Sequence, residues 1–259
     1  MIRHLTLGQY YSATSIIHSL DPRLKIRFVI VFILLSLPDR SLPLFGMLTV
    51  LFLSVLLLSK VPVKHMLKGM RGLFLFLTVC AAINIFTTYG ETLFSIGPLT
   101  VTREGLVKFG FVLWRLLLIL FFSALLMYTT SPTQLTDGFE KCFHLPANVA
   151  MGITIALRFL PVLCEELDRI MKAQELRGTQ FHKGSPKKRF ENLKRVIVPL
   201  FQNSINRAAG LADAMEARGY TGGKGRTKLA PLKYGVNDLI ACLVLLAVIA
   251  AGIFLIIHF

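Results

Sequence analysis

Apolar runs of near-membrane length recur along this chain, and they limit its possible folds more than any motif it carries. Spans are read over about 24–37, 42–59, 72–89, 106–128 and 236–259. A helix needs about 20 apolar residues to cross the hydrocarbon core of a bilayer. The first run, Phe28 to Leu37, is short for that task and breaks at Pro38-Asp39-Arg40-Ser41 before apolar sequence resumes from Leu42 to Ser59. Two spans in a hairpin and one long interrupted helix both fit this pattern. Charge decides between them. Arg3, Arg23, Lys25 and Arg27 precede the pair, and Lys60, Lys64, Lys68 and Arg71 follow it. Lys and Arg collect on the cytoplasmic side of membrane proteins, so both segments belong there and an even number of crossings separates them. The hairpin follows.

A third span runs from Gly72 to Tyr89, and the loop through Glu91, Gly97-Pro98, Arg103 and Glu104 is charge-poor, hence outside. A fourth span leads into residues 129–235, which hold 17 of the 29 Lys and Arg against nine acids. Five spans place the N-terminus and residues 129–235 in the cytoplasm and the C-terminus outside. The chain is 54% apolar with a net charge of +15, whereas soluble domains are about 45–50% apolar with near-balanced charge. Nucleic-acid binding, the other common reading of such a charge, fits poorly because the basic residues flank membrane spans. The apolar sequence begins after residue 25 with no small-residue cleavage site following, so no signal peptide is expected. The expected fold class is therefore an all-α polytopic membrane protein, with about five transmembrane helices and a cytoplasmic platform of long amphipathic helices.

The platform can be read locally. Asp21-Pro22 reads as an N-cap and first helical residue opening the first span. Ser131-Pro132 opens a short helix bearing Leu135, Phe139 and Phe143, which stops near Leu145-Pro146. From Ala147, the stripe Val149, Ile153, Ala156, Leu160, Leu163, Leu167 and Ile170 repeats every three or four residues, as on an amphipathic helix ending at Arg177. A polar break from Phe181 to Arg189 contains Gly184-Ser185-Pro186 and Lys187-Lys188-Arg189. A second long helix follows to Arg218, with Leu193, Val196, Ile197, Leu200, Ile205, Ala208 and Leu211 on its apolar side. Each would be on the order of 45 Å long. Both read as too charged to span, so they are expected along the cytoplasmic leaflet, kinked at Pro161 and Pro199.

These two helices end alike. Ala173-Gln174-Glu175-Leu176-Arg177-Gly178 and Ala214-Met215-Glu216-Ala217-Arg218-Gly219 share the pattern Ala-x-Glu-x-Arg-Gly, with the arginines 41 residues apart. Glycine after a run of helix formers takes the left-handed conformation that stops a helix. Arginine in the last turn favours the negative end of the helix dipole, and its planar fork suits a carboxylate. The repeat predicts two arginines delivered at matching helix ends.

Nothing in the chain assembles a catalytic set. Gly219-Tyr220-Thr221-Gly222-Gly223-Lys224-Gly225 lacks the spacing of a phosphate-binding loop. His4, His18, His65, His144, His182 and His258 are dispersed, as are Cys80, Cys142, Cys164 and Cys242, so neither a metal site nor a disulfide framework is expected. No catalytic residue and no cofactor are assigned. Arg115, beside Trp114 within the fourth span, reads as half of a structural ion pair with an unidentified partner. Arg158, in Leu157-Arg158-Phe159-Leu160-Pro161, reads equally as a lipid-phosphate contact or a functional residue. Lys187, Lys188 and Arg189 are assigned to anionic lipid or solvent. The residues alone describe a membrane scaffold whose two arginine-tipped helices suit acidic grooves on two copies, or two halves, of a soluble partner.

At these residues the sequence resembles the transmembrane T component of energy-coupling-factor (ECF) transporters, the EcfT/CbiQ family. The resemblance rests on His18-Ser19-Leu20-Asp21-Pro22-Arg23, on Leu157-Arg158-Phe159-Leu160-Pro161 and on the paired Arg-Gly endings. It extends from about Gly8 to the last span, and departs at Leu176, where the family's ending carries alanine. It implies a non-catalytic subunit of the prokaryotic plasma membrane. Such a subunit joins two ABC-type ATPase subunits to a small membrane S component that binds a vitamin or a metal ion. Arg177 and Arg218 would be the ATPase-coupling residues, supported by Gly178, Gly219, Glu175, Glu216, Ala173 and Ala217. ATPase closure would draw the helix ends together, and the long helices would pass the motion to an S component held on the apolar faces of 147–175 and 190–214. Asp21, Pro22, Arg23, Arg158, Pro161 and Arg115 would serve structural or further functional roles. Rival readings are a dedicated cobalt or nickel T component, a scaffold or regulator without ATPases, and a membrane-embedded enzyme, which would need an acidic or histidine cluster at membrane depth.

Overall fold

The structure, a computed structural model, describes residues 11, 15–38, 42–88, 91–96, 99–179, 181, 185–222, 232 and 234–258. Pro38 and Asp39-Arg40-Ser41 straddle one edge of these ranges, so the expected break between the first two spans is only partly visible. Arg3, His4, Tyr89, Gly97-Pro98, His182, Gly184 and the Gly223-Lys224-Gly225 part of the glycine-rich stretch lie outside the described residues. The chain divides into two compact units, one built from 8–138 with 232–259 and the other from 139–231.

The first unit is a bundle of apolar helices. After the single turn α1 (Ile16–Ser19), α2 (Pro22–Ser36) begins where Asp21-Pro22 predicts, with the Asp21 carboxylate accepting from the Arg23 N–H at 2.8 Å. α3 (Leu42–Ser59) is the second half of the expected hairpin. A short α4 (Val63–Gly69), which the sequence reading lacks, carries the chain into α5 (Arg71–Thr87). The loop after it is not irregular: β1 (Thr92–Ile96) and β2 (Leu99–Thr102) pair antiparallel, with Ile96 opposite Leu99 and a register shift between Thr92 and Phe94. This hairpin is the one departure from an all-α fold among the described residues. α6 (Arg103–Thr129) opens on a Thr102 cap whose hydroxyl accepts from the Gly105 N–H. α7 (Pro132–Cys142) follows, with its residues up to Gly138 in this unit, and α10 (Val236–His258) closes the unit.

Packing of this unit is centred on Phe32, Leu35, Leu44, Leu48, Leu118 and Phe122, joined by Val248 and Leu255 of α10. The rings of Phe32 and Phe122 stack at 4.1 Å between centroids. Many large apolar side chains face outward, among them Leu57 at 79% and Val236 at 79% exposure. That pattern is costly in water and neutral in lipid, where the surrounding solvent is itself apolar. α3, α6 and α10 are long and apolar enough to cross a membrane; α5 is shorter, and α2 has 15 residues.

The second unit holds the long helices α8 (Ala147–Leu176) and α9 (Pro186–Ala217). Both run without interruption through Pro161 and Pro199. α9 starts earlier than the polar break suggests. Ser185 accepts from the Lys188 N–H and Pro186 takes the first helical position, so Lys187-Lys188-Arg189 lie in the first turns of the helix and not before it. The reading of α8 as too charged to span also needs correction. An 18-residue window of it reaches a mean hydropathy of 1.7 with no more than two charged residues, because most of its charge gathers toward the C-terminal end.

Candidate functional site: two arginine-tipped helix ends

The ends of α8 and α9 are the same motif built twice. Gly178 has φ +83° and Gly219 φ +75°, conformations that L side chains rarely adopt. At the first end the Gly178 N–H donates to the Glu175 carbonyl at 2.9 Å, and the Thr179 N–H donates to that of Gln174 at 3.0 Å. At the second, the Gly219 N–H donates to the Glu216 carbonyl at 2.8 Å, and the Tyr220 N–H to that of Met215 at 3.0 Å. These paired bonds are the Schellman arrangement, in which a left-handed residue turns the chain back to satisfy the last carbonyls. A Cβ on either glycine would meet nothing within 4 Å, so backbone conformation and not crowding demands glycine.

Arg177 and Arg218 occupy the identical C-cap position, with φ and ψ of −81° and 10° for one and −89° and 10° for the other. Both are exposed, as are Ala173, Glu175, Glu216 and Ala217. Among the described residues neither guanidinium has a hydrogen-bond or ion-pair partner. Leu176, which stands where the family pattern has alanine, is 91% exposed and extends the first end with apolar surface.

The two ends do not lie side by side, as matching ends would. Tyr220 Oη donates to Asn148 Oδ1 at 3.5 Å, Asn203 Nδ2 donates to Glu166 Oε1 at 2.6 Å, and Arg195 Nη1 donates to Thr179 Oγ1 at 3.5 Å. Rising positions on α8 meet falling positions on α9, so the pair is antiparallel. Arg218 sits by the start of α8 and Arg177 by the early turns of α9. At 1.5 Å of rise per residue, the arginines stand on the order of 40 Å apart. Matching C-termini become opposite poles of one hairpin.

Midway between the poles is a clasp that sequence reading missed. Glu166 Oε2 lies 2.9 Å from Arg207 Nη2 while Oε1 accepts from Asn203. A groove of about 310 Å³ opens beside it, lined by Val162, Glu165, Arg169, Ile170 and Ala173. Asn203 and Arg207, four apart on one helix face, are the only sequence trace of this contact.

The other singled-out residues are not gathered at the helix ends. Arg158 and Pro161 are exposed on α8, Arg158 some 19 residues before Arg177. Asp21, Pro22, Arg23 and Arg115 belong to the membrane unit. There the Arg23 guanidinium donates to the Leu232 carbonyl at 3.3 Å and stands 5.2 Å from the Tyr234 ring centroid, holding the chain just before α10. Arg115 donates to the Pro38 carbonyl at 3.4 Å and stands 5.2 Å from the Phe45 ring centroid, binding the α2 end and α3 to α6. Lys25, counted at first only as a basic flank, is buried and donates to the carbonyls of His18 and Thr129. Among the described residues no group of three or more His, Cys, Asp or Glu is placed to hold a metal ion.

Residues 13–229 match the family model described as cobalt transport protein, CbiQ. The chain is 42% identical over 262 residues to the energy-coupling factor transporter transmembrane protein EcfT of Acidaminococcus fermentans, covering 98% of each chain. It is 40% identical over 247 residues to the protein of the same name in Thermosediminibacter oceani, covering 93% of each. Against that of Clostridium kluyveri it is 40% identical over 262 residues, covering 98% of this chain and 97% of the relative.

Proposed function

The chain belongs to the CbiQ family, and from that membership we propose that it is the transmembrane T subunit of an ECF-type importer. In this reading it links two ABC-type ATPase subunits to a small substrate-binding S component and serves uptake of a vitamin or transition-metal ion. Arg177 and Arg218 each enter one ATPase. The observation that carries the proposal is the pair of identical Schellman ends presenting exposed arginines at opposite poles of one antiparallel hairpin. Two identical tips some tens of ångströms apart suit two copies of one socket, whereas a single partner groove would need them adjacent.

The pairing of α8 with α9 supports a platform outside the bilayer. α8 alone is apolar enough to cross, but α9 accompanies it from end to end with Lys187, Lys188, Arg189, Glu191, Lys194, Arg195, Arg207, Asp213 and Glu216. Taking α8 through the membrane would carry those charges with it, at a few kcal/mol each near the bilayer centre. With α2, α3, α5, α6 and α10 as spans, the basic platform and the N-terminus are cytoplasmic and the C-terminus outside. The spaced tips also give ATP a mechanical role: closure of the ATPases draws the poles together, so that α8 and α9 pivot on each other about the Glu166 clasp and pass the motion to the S component.

Co-purification of the tagged chain from its host tests this, compared with the Arg177→Ala/Arg218→Ala double variant. Two ATPase subunits and a small membrane protein accompany the unaltered chain, and the variant inserts normally but loses the ATPases. Retention of the ATPases by the variant would reduce the Arg-Gly endings to caps and leave the scaffold reading in first place.

A further inference from the structure

The helices of the first unit leave a slot between them, at the end of the bundle where α2 and α10 begin and α3 and α6 end. Its walls run from Thr129 to Phe122 on α6 and from Asn237 to Val244 on α10, so it reaches about 10 Å along the bundle. It encloses about 220 Å³, with Phe28, Val55, Phe122 and Val244 among its apolar walls. Lys25, Thr129 and Asn237 keep to its outer end. The hydroxyl of Ser54, deeper in, is spent on its own helix, donating to the Leu51 carbonyl at 2.8 Å.

Two lysines mark the polar end. Lys25 is 7% exposed, and its ammonium donates to the carbonyls of His18 at 3.3 Å and Thr129 at 3.0 Å. An ammonium has three N–H groups, so one finds no acceptor among the described residues. Ile16 and Leu58 are shared with a second hollow, lined also by Ser15, His18, Ser19 and Lys60. Lys60 directly follows α3 with φ +55°, a left-handed conformation that glycine adopts at less cost. Lysine in place of glycine there points to a use for its charge. No acid lines either hollow among the described residues.

We propose that the slot holds one acyl chain of an anionic phospholipid whose phosphate lies at the lysine end, a bound ligand distinct from the surrounding bilayer. Shape and charge select this occupant. α1 lines the polar end through Ile16, Ile17 and Leu20, so a partner's spanning helix lying in the slot would run into it, whereas a lipid's chain begins at that level. Ile16, Leu58 and Ile240 are exposed along the rim, so the slot opens sideways and the second chain stays outside. Two cations with no acid beside them favour an anionic headgroup, and a phosphate satisfies the Lys25 N–H that a neutral hydrocarbon would leave unmet.

The purified full chain in detergent, without any partner, tests this, so a failure of ATPase co-purification would leave the result untouched. Native mass spectrometry follows binding as phosphatidylglycerol or phosphatidylcholine is titrated in. One phosphatidylglycerol is expected to bind ahead of all others. Lys60→Gln, a change at an exposed side chain, is expected to weaken that first binding about five-fold and to leave phosphatidylcholine unaffected, since a lysine near an anionic surface contributes about that factor. Ala241→Phe fills the slot and is expected to abolish the first binding; Val244→Trp, on the exposed rim, serves if the former does not fold. Equal first affinities for the two lipids, an unchanged affinity in Lys60→Gln, or retention of the first lipid by a folded slot variant overturns the proposal. So does a first ligand with the mass of a fatty acid or of a second copy of this chain.

Discussion

The main-chain N–H of Asp21 donates to Oδ1 of Asp238 at 2.8 Å, across 217 positions of sequence. Oδ2 of the same Asp238 accepts from the Gly235 N–H at 2.7 Å, and both aspartates are buried. One carboxylate thus caps its own helix, α10, and ties its start to the start of α2. A charge at the mouth of an apolar span is costly unless such bonds satisfy it.

Asp238→Ala strands both N–H groups and is expected to destabilise the membrane unit by about 1–3 kcal/mol. Asp238→Asn keeps an acceptor oxygen and loses less. Thermal midpoints of the detergent-solubilised chain check this order, and equal midpoints for Ala and the unaltered chain would show the tie to be dispensable.

Gly178→Ala and Gly219→Ala each force a Cβ into the left-handed region, at about 1–2 kcal/mol. Open space around both positions makes the cost purely conformational, so Asn, which tolerates this region, is expected to restore most of it. Under the coupling reading, the Ala variants also lose ATPase in co-purification although each arginine is retained. Full ATPase retention would show that the tip geometry is not read.

Glu166 and Arg207 are expected to couple by about 1 kcal/mol in a double-mutant cycle of thermal stability, no more, because the Arg207 side chain is 43% exposed. Asn203→Ala adds a separate loss on the same carboxylate. Additive single variants would show that the Glu166–Arg207 pair contributes nothing to holding α8 on α9.

Stability should also depend on pH through His18. Its Nε2–H donates to the Tyr11 carbonyl at 2.9 Å, so Nδ1 is left to accept from the Ser15 hydroxyl at 2.7 Å. Burial lowers its pKa below 6.5 and outweighs the raising effect of the Tyr11 bond; the positive charge of Lys25 lowers it further. The folded state therefore holds fewer protons than the unfolded one, and the stability from a neutral His18 is complete above 6.5 and lost as pH falls through that value toward the folded pKa. Thermal midpoints of the unaltered chain should fall more steeply on acidification than those of His18→Gln. Parallel profiles would remove His18 as the cause.

Much of this protein is legible one helix at a time. Asp21-Pro22 and Ser131-Pro132 mark helix starts, the three-and-four stripe gives the length of α8, and glycine after Arg177 and Arg218 ends both long helices where the structure ends them. Ser185-Pro186 carried the same start signal, but the basic run after it read as linker, and α9 proved longer than expected. Caps, periodicity and left-handed glycine depend on residues within a few positions of one another, so the sequence by itself determined where helices begin and stop and which residues tip them. Only the tertiary structure decided what meets what. The antiparallel pairing that sets Arg177 and Arg218 at opposite poles, the Glu166 clasp and the Asp21–Asp238 tie join side chains distant in the chain. Such contacts leave no periodic trace, because each is selected by the packing of whole helices and not by the conformational preference of any one segment.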